Sequence, residues 1–175
     1  MMVDVNRLRA ACACTLAIVT APGHARGEGL RMALGAGVAS RSLGSGIAYP
    51  FELTLQASPL LSVSAGAVAA DGTVVHAYGE VAVNLIVSVG VGAGYQAATG
   101  FGSDAGLHLF FGLPIPVYPP TIFENPLGFL DEPWWGYLLP YYRPSWGPWP
   151  GVVHEMGVML KVSRQITHHP SKIGG

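Results

Sequence analysis

The chain has 175 residues, of which 50% are hydrophobic and only 11% charged, with a mean hydropathy of +0.41 and a formal charge of −1. A soluble globular domain carries about 25% charged residues, so an ordinary cytosolic enzyme fits poorly, and a disordered chain, which would be polar and charged, is excluded. Nine Lys and Arg against ten Asp and Glu supply no basic stripe for a nucleic-acid partner.

Residues 1–25 read as a secretory signal peptide. Arg7 and Arg9 precede an apolar stretch over 10–20, Pro22 breaks it, and Gly23 and Ala25 set small residues before a cut expected after Ala25. Both cysteines, Cys12 and Cys14, lie in the segment to be removed. The mature part therefore reads as an exported domain without disulfides.

Beyond residue 29 the pattern is alternation. Seven segments, 30–39, 49–57, 61–69, 75–85, 87–96, 107–117 and 155–163, keep a period of two, the strand period rather than the helical 3.6. One face of each is greasy, as in Val87, Val89, Val91, Ala93 and Tyr95. The other is small or polar, as in Ser88, Gly90, Gly92, Gly94 and Gln96. Asp71-Gly72 is a two-residue hairpin signal, and Gly, Pro and Ser punctuate the other gaps. The regular spacing favours up-and-down antiparallel pairing.

Residues 81–103 carry no charge and are long enough for a membrane helix. Gly90, Gly92 and Gly94 argue otherwise. A helix would spread them round its circumference at a cost of roughly 1 kcal/mol each, whereas a strand gathers them on one face. The remaining choice is between a soluble β-sandwich and a membrane barrel. A sandwich would turn Lys, Glu, Asp and Arg toward water. Here the second face is mostly Gly, Ala and Ser, which suits the narrow interior of a small barrel, and closure satisfies every backbone group without water. The expected fold is all-β: an antiparallel up-and-down transmembrane β-barrel of eight strands over 26–163, with a Pro/Trp-rich insertion over 118–151 and a C-terminal tail over 164–175.

These segments, over about 29–162, resemble the small OmpX-like outer-membrane β-barrel proteins of Gram-negative bacteria. The most specific stretch is Glu155-Met156-Gly157-Val158-Met159-Leu160-Lys161-Val162. It is similar to the last-strand targeting signal of such barrels: a polar residue, Gly two later, then alternating large apolar residues. The resemblance implies location in the cell outer membrane, contact with membrane lipid and reading of the last strand by the barrel-insertion machinery.

Residues 118–151 hold eight of the 14 prolines and all four tryptophans, Trp134, Trp135, Trp146 and Trp149. An even strand count requires an eighth strand here. The best stretch is 134–142, although Pro140 makes it a poor central strand. The tryptophans read either as a partner-binding loop or plug, or as an aromatic girdle at the membrane interface.

The charges on the small face, Arg31, Glu52, Glu80, Glu155 and Lys161, are expected to point into the lumen. They read as internal ion pairs that fill and stiffen it, since eight strands leave an interior just wide enough for side chains. Pairing of the last strand with the first would bring Lys161 and Glu155 near the wall that carries Arg31. His76, His108 and His154 are scattered singly and read as ordinary polar or interfacial residues. His168-His169 lack a third metal ligand. His169-Pro170-Ser171 is similar to the His-x-Ser of outer-membrane lipid A deacylases but lies beyond the last strand. No Gly-rich phosphate loop, GxSxG elbow, HExxH or paired-cysteine motif is present.

The expectation is an outer-membrane barrel with a structural or surface-binding role, neither an enzyme nor a cofactor or metal carrier. The alternative is a secreted soluble β-sandwich that binds a ligand or partner through its Trp-rich loop.

Overall fold

The structure is a computed structural model that describes residues 30–42, 46–58, 60–98, 102–118 and 134–166. The signal-peptide segment, the histidines at 168 and 169 and most of the expected tail lie outside the described residues.

Nine strands follow one another: β1 (Arg31–Arg41), β2 (Ile47–Ser58), β3 (Leu61–Ala70), β4 (Thr73–Asn84), β5 (Ser88–Ala98), β6 (Gly102–Gly112), β7 (Ile115–Tyr118), β8 (Trp134–Trp146) and β9 (Val153–Gln165). All pair antiparallel, and β6 and β7 pair with the same strand, β8, as one stave interrupted at 113–114. The sheet closes through β1–β9 and β6–β8, giving a closed barrel of eight staves. Closure rules out the sandwich, whose two sheets would keep open edges. The uncharged run at 81–103 that could have been a helix supplies the end of β4, the turn after it, all of β5 and the start of β6.

Registry sets the geometry. One row of partners runs from Arg31 through Gln56, Ser62, Ala82, Gly90 and Phe110. Across the β6–β8 register it reaches Arg143, then Glu155, and it returns to β1 at Arg41. The row thus gains ten residues per circuit, a stagger that requires the strands to tilt by about 35–45°. β1 begins and β9 ends at one rim, called here the terminus rim. The Asp71-Gly72 turn marks the opposite, far rim, and both its residues have positive φ, 51° and 74°, as the tight turn with right-handed strand twist demands.

The eighth strand is longer than expected. β8 extends past 142 to Trp146 and carries Pro140 and Pro144 as a fully central strand. Its prolines are placed where a donor is dispensable. The Leu113 N–H donates to the Pro140 carbonyl at 3.0 Å, so that side of Pro140 faces the interruption between β6 and β7, and a residue's missing N–H points the same way as its carbonyl. Pro144 falls in a second gap of the same seam, between the His108–Ser145 and Phe111–Tyr142 pairs.

The alternation sends the greasy face outward and the small face inward. Val89, Val91, Leu109, Leu160 and their neighbours are exposed. The interior glycines serve large polar side chains on adjacent staves. A Cβ on Gly66 would collide with the Tyr78 ring, one on Gly92 with His108, and one on Gly35 with the aliphatic stem of Lys161, 2.9 Å away. The small face is small because its partners are large. Gly66→Val is therefore expected to destabilise the barrel by about 1–3 kcal/mol through overpacking, while Ala65→Val, on the outer face, should be close to neutral. Urea titration of refolding into detergent micelles measures the difference.

Candidate functional site: the buried charge cluster

Glu52 on β2, Glu80 on β4 and Glu155 and Lys161 on β9 all point into the lumen and are buried. Their partner is a residue that the sequence pattern hides. Arg143 on β8 is 0% exposed and reaches all three carboxylates: Nε to Glu80 at 3.2 Å, Nη1 to Glu155 at 2.8 Å and Nη2 to Glu52 at 3.2 Å. The planar guanidinium lies 4.0 Å from the Tyr78 ring centre and 5.0 Å from that of Tyr141. The planar guanidinium carries N–H donors on all three of its nitrogens, so each nitrogen serves a different carboxylate.

Each carboxylate has further polar neighbours. Glu52 accepts from the Tyr78 hydroxyl at 2.6 Å, from the Thr54 hydroxyl at 3.0 Å and from Lys161. Thr54 in turn accepts from Lys161 Nζ at 2.9 Å and lies 2.9 Å from the Ser64 hydroxyl. Glu155 accepts from the Tyr141 hydroxyl at 3.0 Å, and its second oxygen sits 3.4 Å from Arg41 Nε. Glu80 Oε2 lies 3.1 Å from His108 Nε2. Three carboxylates face three basic side chains, Arg41, Arg143 and Lys161, so acids and bases are matched in number. Balance matters because an unpaired charge in a dry interior costs several kcal/mol.

Several sequence expectations need correction. Arg31 does not join the cluster. It is half-buried at the terminus rim, 5.7 Å from the Trp135 ring centre. The ten-residue stagger sets Glu155 opposite Arg41 and leaves Arg31 opposite Gln165. His76 and His108 are lumen residues, each 1% exposed, packed around Tyr78 with ring centres 4.8 and 5.5 Å away. His154 does lie on the outer face, 2.7 Å from the Tyr142 hydroxyl. The four tryptophans do not form one loop. Trp134 and Trp146 are exposed at opposite ends of β8. Trp135 lies half-buried at the terminus rim, stacked on Tyr137 at 4.9 Å, and Trp149 is buried at the far rim over Gly106.

The missed residues had a readable signal in part. His76, Tyr78 and His108 share the small face with Glu80 and Gly92. Arg41 was lost by ending the first strand at 39, and Arg143 by reading its surroundings as a proline-rich loop. Among the described residues no group of His, Cys, Asp and Glu could hold a metal ion. The cluster's acids and bases face one another across the lumen and are all buried. Arg143→Gln leaves buried carboxylates short of a cation and should cost about 3–5 kcal/mol. Arg164→Gln, which removes a rim contact to Trp134, should cost about 1 kcal/mol or less. Unfolding titrations of the two variants in the same micelles provide the comparison.

No protein-family model matches the chain, and no curated protein matches it. Among solved structures it is similar to a barrel from the de novo design of transmembrane β-barrels, at 13% identity and a TM-score of 0.43, over 81% of this chain and 98% of that one. It is also similar to the solution NMR structure of the de novo designed TMB2.3, at 16% identity and a TM-score of 0.39, over 82% of this chain and 99% of the design.

Proposed function

We propose that the protein is an integral barrel of the Gram-negative outer membrane, of the OmpX-like kind, with a structural role. The observation that carries this reading is the inside-out distribution of polarity. The charged cluster is buried in the lumen, while the outer wall is a continuous belt of Leu, Val, Ile, Met and Phe. Among the described residues the only exposed charged side chains are Asp71, Asp104 and Arg164, all at the rims. A soluble monomer rarely exposes contiguous apolar surface on this scale, whereas lipid-facing strands require it. Trp134 and Trp146 bracket the belt on one strand. At about 3.3 Å per residue and a tilt near 40° they stand roughly 30 Å apart along the axis, about the thickness of a hydrocarbon core.

A structural role is favoured over a surface-binding one by the connections. At the far rim they are short, between Arg41 and Ile47, Ala70 and Thr73, Ala98 and Gly102, and Trp146 and Val153. They offer little chain to build a binding surface. On this reading β9, with its alternating large residues from Met156 to Val162, is the strand read by the barrel-insertion machinery.

Expressed from its full precursor, the protein should fractionate with outer membranes, begin at Arg26 on N-terminal sequencing and migrate faster unheated than boiled. Recovery in a soluble fraction without detergent would overturn the reading. Replacing a belt residue provides a graded check: Val91→Arg should destabilise the inserted barrel by roughly 2–4 kcal/mol if it lies near the midplane, and should have far less effect on a barrel that faces water.

A further inference from the structure

The two halves of the buried cluster are bonded differently. Around Arg143 the contacts to the carboxylates run from 2.8 to 3.2 Å. Toward the far rim Arg41, Gln96, His76 and Glu155, from β1, β5, β4 and β9, form a ring of four side chains in which every link is longer. Arg41 Nη2 donates to Gln96 Oε1 at 3.4 Å, and Gln96 Nε2 lies 3.4 Å from His76 Nε2. His76 Nδ1 lies 3.6 Å from Glu155 Oε2, and Arg41 Nε lies 3.4 Å from the same oxygen. A well-made N–H···O bond is about 2.9–3.0 Å. None of the four residues is more than 8% exposed.

Three atoms of this ring have no hydrogen-bond partner among the described residues: Arg41 Nε, His76 Nδ1 and Glu155 Oε2. They are neighbours, since both nitrogens approach the one oxygen. Such groups are rare in folded proteins, because a buried polar atom without a partner forfeits its hydration and gains nothing for it.

The flanking side chains have no group left to offer. Glu155 stands between Arg41 and Arg143 in the registry, and Arg143 Nη1 is already spent on the other oxygen of Glu155 at 2.8 Å. His76 stands between Val68 and Gln96. Both ends of the Gln96 amide are engaged, with Arg41 and with His76 Nε2.

The charges at the three atoms select what can join them. An anion would be repelled by the carboxylate oxygen and a metal cation by the guanidinium. A small neutral molecule that both donates and accepts suits all three. It accepts from Arg41 Nε–H, donates to Glu155 Oε2 and meets His76 Nδ1 as donor or acceptor, whichever tautomer that imidazole holds. Water has this chemistry, and about three protein partners is the usual number for a buried water.

We propose that Arg41 Nε, His76 Nδ1 and Glu155 Oε2 together bind one ordered water. The far-rim half of the cluster is then a hydrated joint, and the Arg143 half is bonded side chain to side chain. The proposal depends on the closed lumen and is independent of what covers the outer wall.

The test uses the full chain with isotope-labelled arginine, refolded into deuterated detergent micelles. Water-to-protein NOE and ROE spectra are recorded at the Arg41 Nε–H resonance, which is assigned by its loss in Arg41→Lys. A bound water gives a cross-peak at the water frequency, with opposite signs in the two spectra and unchanged in Tyr141→Phe. No cross-peak overturns the proposal. So does a peak of one sign in both spectra, which reports proton exchange with bulk solvent. A peak that vanishes in Tyr141→Phe comes from the hydroxyl bonded to Glu155 and overturns it too. If either variant fails to refold, crystals of the unchanged chain decide. Water density within hydrogen-bond distance of all three atoms supports the site, and Arg41 Nε bonded directly to Glu155 Oε2 without it overturns the site.

Discussion

The contact on which the barrel depends is Arg143 with Glu52, Glu80 and Glu155. Three carboxylates on β2, β4 and β9 point into a space with little room for water, and they can stay ionised there only beside cations held by good geometry. Strand pairing joins each stave to its two neighbours and no further. The guanidinium does what pairing cannot: from β8 it reaches across the lumen to β2 and β4, neither of which is hydrogen-bonded to β8. Closure of the sheet and neutrality of the lumen are thus one requirement. The strand that closes the barrel is also the strand that brings the cation.

That requirement explains why a strand with Pro140 and Pro144 is kept at the centre of a sheet. Each proline sits in a gap of the β6–β8 seam, so the lost donors fall where partners are missing anyway. The glycines on the inner face follow from the same need. Without a Cβ at Gly66 the Tyr78 ring can lie flat over β3 with its hydroxyl on Glu52, and without one at Gly92 the His108 ring can reach Glu80. Polar bulk on one stave is matched by absence of bulk on the next.

The tryptophans divide between the two solvents of such a molecule. Trp134 and Trp146 lie outside, one at each end of β8, where an indole gains from an apolar body and a wet N–H. Trp135 lies at the terminus rim against Tyr137, and Trp149 is buried at the far rim over Gly106. The rims themselves are unequal. Acidic residues and a tight polar turn mark the far rim, whereas two arginines, two tryptophans and two apolar hairpin ends share the terminus rim.

Strand class, the two faces of each strand and most of the turns were legible in the chain itself, because side chains alternate strictly with the backbone and a greasy face opposed to a tiny one admits few environments. From that alone Glu52, Glu80, Glu155 and Lys161 could be sent inward. Which of them meet could not be read, because partners round a closed barrel are set by the stagger, a property of closure rather than of any local window. Ten residues of stagger carry Glu155 to Arg41 and away from Arg31. Arg143 stayed hidden for a related reason: proline lowers strand propensity locally, and only the seam with β6 and β7 shows that the lost donors had no partner to lose. Local alternation alone assigned each side chain to the outer wall or to the lumen. The tertiary structure decided who pairs with whom inside, because charge neutralisation across the lumen is a long-range condition that only the closed sheet can meet.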